Sequence, residues 1–529
     1  MLILQNIGYT HPDKDVLFRD INLSLSKNDK AALIGNNGSG KSTLLQLMAG
    51  RLQASEGHIS CSTQPYYVPQ VYGRFNDLTI AQALNVGEKL QALQEILAGN
   101  VTETHLNTLN EDWTLEERCR EALAYWQLDI PDLQQSMGTL SGGQKTKVFL
   151  AGITIHKPEI VLLDEPSNHL DTEGREKLYE FIRSATCTML IVSHDRRLLD
   201  LLSPVYELSK HGITVYGGNY TFYAEQKQIE VQALDQDLKS KEKALRKAKE
   251  TERESLERQQ KLDARGRKKQ DKAGLPTIML NTFKNSAEKS TARIKNVHAE
   301  KTGDLAQELR ELREELPGRD KMKFDFDNSV LHKGKLLFQA EKVQISYNDQ
   351  NLWEQPLSFS IYSGERIALK GPNGSGKSSL IRMLLGRLEQ SSGKIQRNSD
   401  RAVYIDQDYS LLQDELSIYE QAQQFNTSGL QEHDIKIRLN RFLFTRTYWD
   451  KPCAVLSGGE RMRLILCCLN IGSKAPDLIV LDEPTNNLDM QNIEILTEAV
   501  REYQGTLIVV SHDTHFLEQL HTERTIGLY

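Results

Sequence analysis

The chain has 529 residues, 39% of them hydrophobic and 26% charged, and a formal net charge of −7. That length exceeds one hydrophobic core and suits two domains of about 200 residues each plus further elements. Its longest apolar stretch, Leu464 to Leu469, falls far short of the ~18–20 residues of a membrane span, and its acidic balance excludes indiscriminate nucleic-acid binding while permitting a local basic patch. The start, Met1-Leu2-Ile3-Leu4-Gln5, has no basic region and no small-residue cleavage site, which predicts a cytoplasmic protein. The six cysteines include no CxxC metal pair, so in that compartment they are expected to be reduced. Cys467 and Cys468 follow a helix-forming run and read as packing residues.

In chain order, the first informative element is an apolar strand, Lys30-Ala31-Ala32-Leu33-Ile34, followed by Gly35-Asn36-Asn37-Gly38-Ser39-Gly40-Lys41-Ser42 and an apolar helix from Thr43 to Met48. Strand, glycine-rich loop and helix form the setting of a phosphate-binding loop. The glycines let backbone N–H groups and the helix N-terminus face phosphate oxygens. Lys41 would neutralise the β- and γ-phosphates of ATP, and the Ser42 hydroxyl would ligate Mg²⁺. Lys89 to Leu97 reads as a helix broken at Gly99-Asn100. Then come Leu140-Ser141-Gly142-Gly143-Gln144 and the continuous apolar run Ile160 to Leu163, expected of a strand buried on both faces. Asp164 at its end would hold Mg²⁺, and Glu165 would polarise the attacking water. An apolar strand ends at Val192-Ser193-His194-Asp195.

From Glu230 to Lys272 the composition turns to Lys, Glu, Gln, Leu and Ala without proline, which predicts a long helix. Gly274-Leu275-Pro276 breaks it, and a second helical run from about Thr282 ends near Pro317-Gly318, so a helical hairpin is expected. Near its tip Arg265, Arg267, Lys268, Lys269, Lys272, Lys284, Lys289, Arg293 and Lys295 face only Asp271 and Glu288. A positive tip on an acidic chain is the footprint of phosphate-backbone binding. The apolar run Leu275 to Leu280 within it would need a partner or a small cluster of its own.

The earlier motifs then recur in the same order. Arg366 to Lys370 leads into Gly371-Pro372-Asn373-Gly374-Ser375-Gly376-Lys377-Ser378, with Ser379 next. Leu456-Ser457-Gly458-Gly459-Glu460, the apolar run Leu478 to Leu481, Asp482-Glu483 and Val510-Ser511-His512-Asp513 follow. Lys377, Ser378, Asp482 and Glu483 repeat the roles read for the first half, so the chain is an internal duplication. The two loop lysines are 336 positions apart but the two signature serines only 316. The first half therefore carries an insertion, at about 86–113, that is either a longer helical subdomain or a projecting arm.

Over nearly every part except the linker the sequence resembles the ATP-binding cassette ATPases. The resemblance implies an α/β fold of two cassette (P-loop NTPase) domains, each with a helical subdomain, joined by a charged helical hairpin. The expected division is 1–223, 224–335 and 336–529. It also implies that the signature segment of each cassette caps the γ-phosphate held by the other. Ser457, Gly458, Gly459 and Glu460 would complete the Lys41 site, and Ser141, Gly142, Gly143 and Gln144 the Lys377 site, because a serine hydroxyl and glycine amides at a helix start form an anion site. His194 and His512 would be switch histidines that contact the γ-phosphate and orient the water. Gln70 and Gln407 would contact Mg²⁺ or that water. Tyr9 and Tyr347, 32 and 30 positions before their lysines, would stack on adenine.

The tandem arrangement without a membrane domain resembles the ABC-F group, many of which bind ribosomes. That implies a monomer whose cassettes pair intramolecularly around two ATP molecules, with the hairpin tip near the tRNA exit site touching tRNA and rRNA. DNA and membranes are not expected partners. A housekeeping translation factor and an antibiotic-resistance protein that protects the ribosome would use the same engine. Rival readings are a fused ATPase subunit of a transporter with separate membrane subunits, a DNA-repair or chromosome-structure ATPase, and a scaffold that binds ATP without hydrolysing it. The first leaves the basic hairpin unexplained, the second lacks its zinc-type cysteines or very long internal coiled coils, and the third conflicts with two intact acidic pairs.

Overall fold

A computed structural model describes residues 1–12, 14–70, 72–130, 132–209, 212–273, 300, 302–312, 333–347, 350–398, 401–472, 475–486 and 488–528. Two compact units emerge, Met1–Thr221 with Asp320–Tyr529, and Phe222–Arg319.

Each half of the first unit is built on a mostly parallel sheet. In the first half the strand order is Tyr66–Val68, Ile160–Asp164, Thr188–Val192, Lys30–Ile34, Val205–Ser209 and Gly212–Tyr216, with only the last antiparallel to its neighbour. In the second half the order is Ala402–Ile405, Leu478–Asp482, Thr506–Val510, Arg366–Lys370 and Arg524–Gly527, all parallel. The strands that end in Asp164 and Asp482 are buried along their whole length, as their unbroken apolar runs require. Both acidic pairs therefore emerge at the C-terminal edge of a sheet, where open α/β folds bind ligands.

A three-stranded antiparallel sheet accompanies each of these: Val16–Leu25, Leu2–Thr10 and Glu56–Cys61 in the first half, and Leu357–Tyr362, Leu336–Gln344 and Ser392–Arg397 in the second. The duplication extends to a β-bulge in each. Gly57 (φ +86°) and Gly393 (φ +87°) lie so close to the partner strand that a Cβ would stand 2.3 Å from the carbonyl oxygens of Asn6 and Lys342. Glycine is required at both.

The helical subdomains differ. The second half uses Ile418–Gln424, Glu432–Arg441 and Gly458–Ile471. The first uses Ile80–Ala83, Gly87–Leu97, Glu103–Leu109, Leu115–Tyr125 and Gly142–His156. Helix Gly87–Leu97 stops before Gly99, at φ +92°. Its Leu90, Ala92 and Leu93 are buried along with Leu109, and Asp112 receives a two-pronged hydrogen bond from Arg118 at 2.9 Å on each arm. The inserted helices pack against each other and are tied to helix Leu115–Tyr125 through Asp112, while Leu97, Val101, Leu106 and Trp113 stay exposed.

Helix Tyr220–Ala273 runs for 54 residues. Exposed i,i+4 pairs such as Lys239–Asp235 and Arg253–Glu257 line it, each worth roughly 0.3–0.5 kcal/mol. Within the second unit, residues 302–312 are helical and pack beside this helix: Lys241 pairs with Glu308 at 3.0 Å, and Leu309 is buried. Arg265 is exposed on that helix, and Arg267, Lys268, Lys269 and Lys272 belong to its backbone. Lys284, Lys289, Arg293, Lys295 and the apolar run Leu275–Leu280 lie outside the described residues. Among the described residues no helix is long and apolar enough to cross a membrane.

Candidate active sites between the two halves

The glycine-rich loops close onto apolar floors. Gly40 (φ +94°) and Gly376 (φ +88°) sit where a Cβ would meet Leu17 at 2.7 Å and Leu352 at 2.5 Å. Beside those leucines lie the buried rings of Phe18 and Trp353, and the Trp353 indole N–H donates to the Ser375 carbonyl at 3.0 Å. Helices Lys41–Met48 and Lys377–Leu384 start at once, with no side chain capping their first N–H groups, which leaves those groups free for an anion. The Lys41 ammonium donates to the carbonyls of Gly35 (2.7 Å) and Asn36 (3.1 Å), and Lys377 does the same to Gly371 (2.8 Å) and Pro372 (2.9 Å). Burial lowers both lysine pKa values from the ordinary range, so each is a desolvated cation primed for an anionic partner.

Ser378 donates to Asp482 at 3.0 Å and Tyr404 donates to the same oxygen at 2.8 Å. Tyr67 donates to Asp164 at 3.1 Å, and Ser42 bonds that carboxyl as well. Asp164 is pushed up by burial against the pull of these bonds. Glu165 and Glu483 adopt φ +51° and +49°, a left-handed turn uncommon for glutamate and costly enough to mark a functional position. The turn is held by the Glu165 N–H donating to Val192 and that of Glu483 to Val510, at 2.9 Å each. It brings each glutamate against a histidine: His194 Nε2 is 3.3 Å from Glu165 and His512 Nε2 is 3.4 Å from Glu483. Burial raises Glu165 to about 8 and Glu483 to about 7, and lowers His194 to about 3 and His512 to about 4. Near neutrality both histidines are therefore uncharged, and these contacts are not ion pairs.

Two cavities open at these residues, and each draws on both halves. One, of about 410 Å³, is lined by Lys41, Ser42, Thr43, Gln70, Asp164, Glu165 and His194 together with Ser457 from the other half. The second, of about 240 Å³, is lined by Asn373, Gly374, Gln407, Glu483 and His512 together with Ser141, Gly142 and Gly143. Ser141 and Ser457 cap helices Gly142–His156 and Gly458–Ile471 in reciprocal boxes with Gln144 and Glu460. Gly143 lies under the His169 carbonyl, and Gly459 lies against the Asn492 amide. Direct bonds seal the seam: the Asn37 N–H donates to Asp489 at 2.9 Å, and the Asn373 side chain donates to the His169 carbonyl at 3.0 Å.

The aromatic pair sits differently from the other motif residues. Tyr9 is half-buried, with its ring edge-on to His11 at 5.4 Å, and it is His11 with Leu17 that lines the larger cavity. Tyr347 is 50% exposed, with its hydroxyl 3.3 Å from Ser379, and lines neither cavity. Sequence reasoning gave no site role to His11, Asn168, Asn486, Asp489, His169 and Arg175. Asn168, His169, Asn486 and Asp489 lie in the segment repeated after each acidic pair and so carried a sequence signal; His11 and Arg175 carried none.

Paired glycine-rich loops, acidic pairs and switch histidines, each completed by the signature helix of the other half, define an ATP-binding cassette protein. Residues 18–168 and 355–486 match the family model described as "ABC transporter". ATP-binding protein Uup of Escherichia coli (strain K12) is 30% identical over 96% of this chain and 77% of its own length. ABC transporter F family member 5 of Arabidopsis thaliana is 28% identical over 98% and 73%. The fold also matches an archaeal ribosome recycling factor, solved in complex with a ribosomal stalk protein, at TM-score 0.56 and 18% identity over 99% of this chain and 87% of that one. The chain belongs to the ABC-F family of tandem-cassette ATPases.

Proposed function

We propose that the protein is a cytoplasmic, monomeric ABC-F ATPase that binds the ribosome near the tRNA exit site while its cassettes are closed on ATP, modulates translation there, and leaves on hydrolysis. The division into 1–223, 224–335 and 336–529 belongs to this reading. The observation that carries it is the composite cavity: each buried glutamate faces a signature serine of the opposite half, so a γ-phosphate lying between them would tie the halves together. The likeness to a ribosome recycling factor and the basic run at Arg265–Lys295 support the ribosome as partner.

Lys41 and Lys377 would hold the β- and γ-phosphates, with the loop amides around them. Glu165 and Glu483 would accept the proton of the attacking water as its oxygen bonds the γ-phosphorus and the bond to the β,γ-bridging oxygen breaks. His194 and His512 would orient that water, and Ser141 and Ser457 would donate to the γ-phosphate. Buried atoms without a hydrogen-bond partner among the described residues, including Asp164 Oδ1, Glu165 Oε1 and both Glu483 oxygens, fit an ion and a nucleotide that supply the missing partners. Among the described residues no cluster of three or more His, Cys, Asp or Glu could hold a metal by itself; Mg²⁺, which keeps several waters and shares phosphate oxygens, needs only Ser42 with Asp164, Ser378 with Asp482, and Gln70 and Gln407 nearby. When bound it would spread the charge of the transferring phosphoryl group.

The test is to express Glu165→Gln with Glu483→Gln and sediment the lysate through sucrose with ATP. The doubly substituted protein is expected to co-sediment with ribosomes and to slow growth. Protein that stays at the top of the gradient, or that partitions with membranes, would overturn the ribosome reading.

A further inference from the structure

The two cavities are not chemically equal, although their motifs are. After the aligned Asp171 and Asp489, the first half continues into helix Thr172–Ser184 and the second into Met490–Glu502. Thr172 corresponds to Met490 and Arg175 to Ile493. Thr172 Oγ1 lies 3.2 Å from His512 Nδ1 across the seam, whereas His194 Nδ1 has no partner among the described residues. Arg175, its side chain only 12% exposed, lines the second cavity beside Ser141, Gly143, Glu483 and His512. Its Nε–H donates to the Leu170 carbonyl at 3.2 Å, and one terminal nitrogen stands 3.8 Å from Asp195, which also accepts from Tyr179. Ile493 is buried in the apolar core. The signature caps add to the difference: Glu460 places a carboxylate on Ser457 at 2.8 Å in the Lys41 site, where Gln144 is neutral in the Lys377 site.

We infer that Arg175 is a cation supplied in trans by the first half to the terminal phosphate in the second nucleotide site, with Thr172 as a positioning residue that orients His512, so that the Lys377 site depends on a residue for which the Lys41 site has no counterpart. A largely enclosed guanidinium held at Nε by the Leu170 carbonyl and at one terminal nitrogen by Asp195 leaves its other terminal nitrogen to meet a phosphate oxygen. A positive charge fixed where the transferring phosphoryl group gathers negative charge accelerates phosphoryl transfer by large factors.

This rests on the glutamates being the bases, and the test separates the two ideas by silencing one site at a time. With Glu165→Gln leaving only the second site active, Arg175→Met is expected to lower steady-state ATP turnover by about 10–100-fold, with Arg175→Lys falling between. With Glu483→Gln leaving only the first site active, Arg175→Met is expected to change turnover by less than ~3-fold, within the scatter of a remote substitution. Equal losses in both backgrounds, or no loss in the first, would overturn the proposal. Should Arg175→Met fold poorly, Arg175→Lys in the same two backgrounds decides. Full turnover by the doubly substituted Glu165→Gln, Glu483→Gln protein would instead count against the glutamates, whereas absence of turnover in both single backgrounds would show that the two sites fire only together. ATP affinity would then carry the test: weaker binding of ATP but not of ADP by the Arg175→Met protein supports the inference, and unchanged affinity sinks it.

Discussion

At the scale of single residues, the sites store free energy in charges that burial suppresses. Between the ordinary glutamate value and the folded values of about 8 and 7, the folded protein keeps protons on Glu165 and Glu483 that the unfolded chain has released. Stability therefore falls as pH rises through that window. His194 and His512, lowered to about 3 and about 4, act in the opposite sense: the unfolded chain takes up protons below pH ~6.5 that the folded protein refuses, so stability falls on acidification. Without nucleotide, Glu165→Gln with Glu483→Gln is expected to melt above the parent at pH 8. The gap should close as pH drops toward 5, measured by thermal unfolding across that range. The motif residues themselves were legible in the sequence because phosphate loops and acidic pairs are local, contiguous patterns. Arg175 was not, because its place in the other half's cavity is set by a cassette-to-cassette seam.

At the scale of elements, the repeated bulges of the antiparallel sheets are held by one glycine each. Gly57→Ala places a Cβ 2.3 Å from the Asn6 carbonyl in a left-handed backbone conformation. It is expected to destabilise by about 2 kcal/mol, read as a lower urea midpoint with an unchanged slope, and Gly393→Ala should do the same. No loss at either would show that the sheet relaxes there freely. Helix Tyr220–Ala273 and the strands ending in Asp164 and Asp482 were readable from composition and unbroken apolar runs. The packing of the inserted helices was not. The sequence left a longer subdomain and a projecting arm equally open; in the structure the inserted helices bury Leu90, Leu93 and Leu109 and are tied to helix Leu115–Tyr125 by the Asp112–Arg118 pair.

At the scale of the whole molecule, the reading joins two nucleotide sites shared between homologous halves to a linker whose charge opposes that of the chain. Phosphate neutralisation by Lys268, Lys269 and Lys272 would release counterions on binding. Replacing all three by glutamine is expected to weaken ribosome co-sedimentation and to flatten its dependence on salt, by ~0.9 in log–log slope for each phosphate no longer neutralised. A titration from 50 to 300 mM KCl checks this, and an unchanged slope would show that these lysines touch no phosphate.

Local chemistry was decided by the sequence alone. Glycine spacing, the lysine after the loop, a carboxylate pair at a strand end and the duplication of all of them specify ATP binding twice, because such motifs act through neighbours in the chain. Only the tertiary structure decided what faces those motifs. The family resemblance already implied capping serines from the opposite half, but it did not show that His11 and Leu17 line a cavity that Tyr9 does not, or that Thr172 and Arg175 enter one site while Met490 and Ile493 stand at the equivalent positions of the other. These pairings join segments hundreds of residues apart, fixed by packing two cassettes face to face, and no local pattern encodes them.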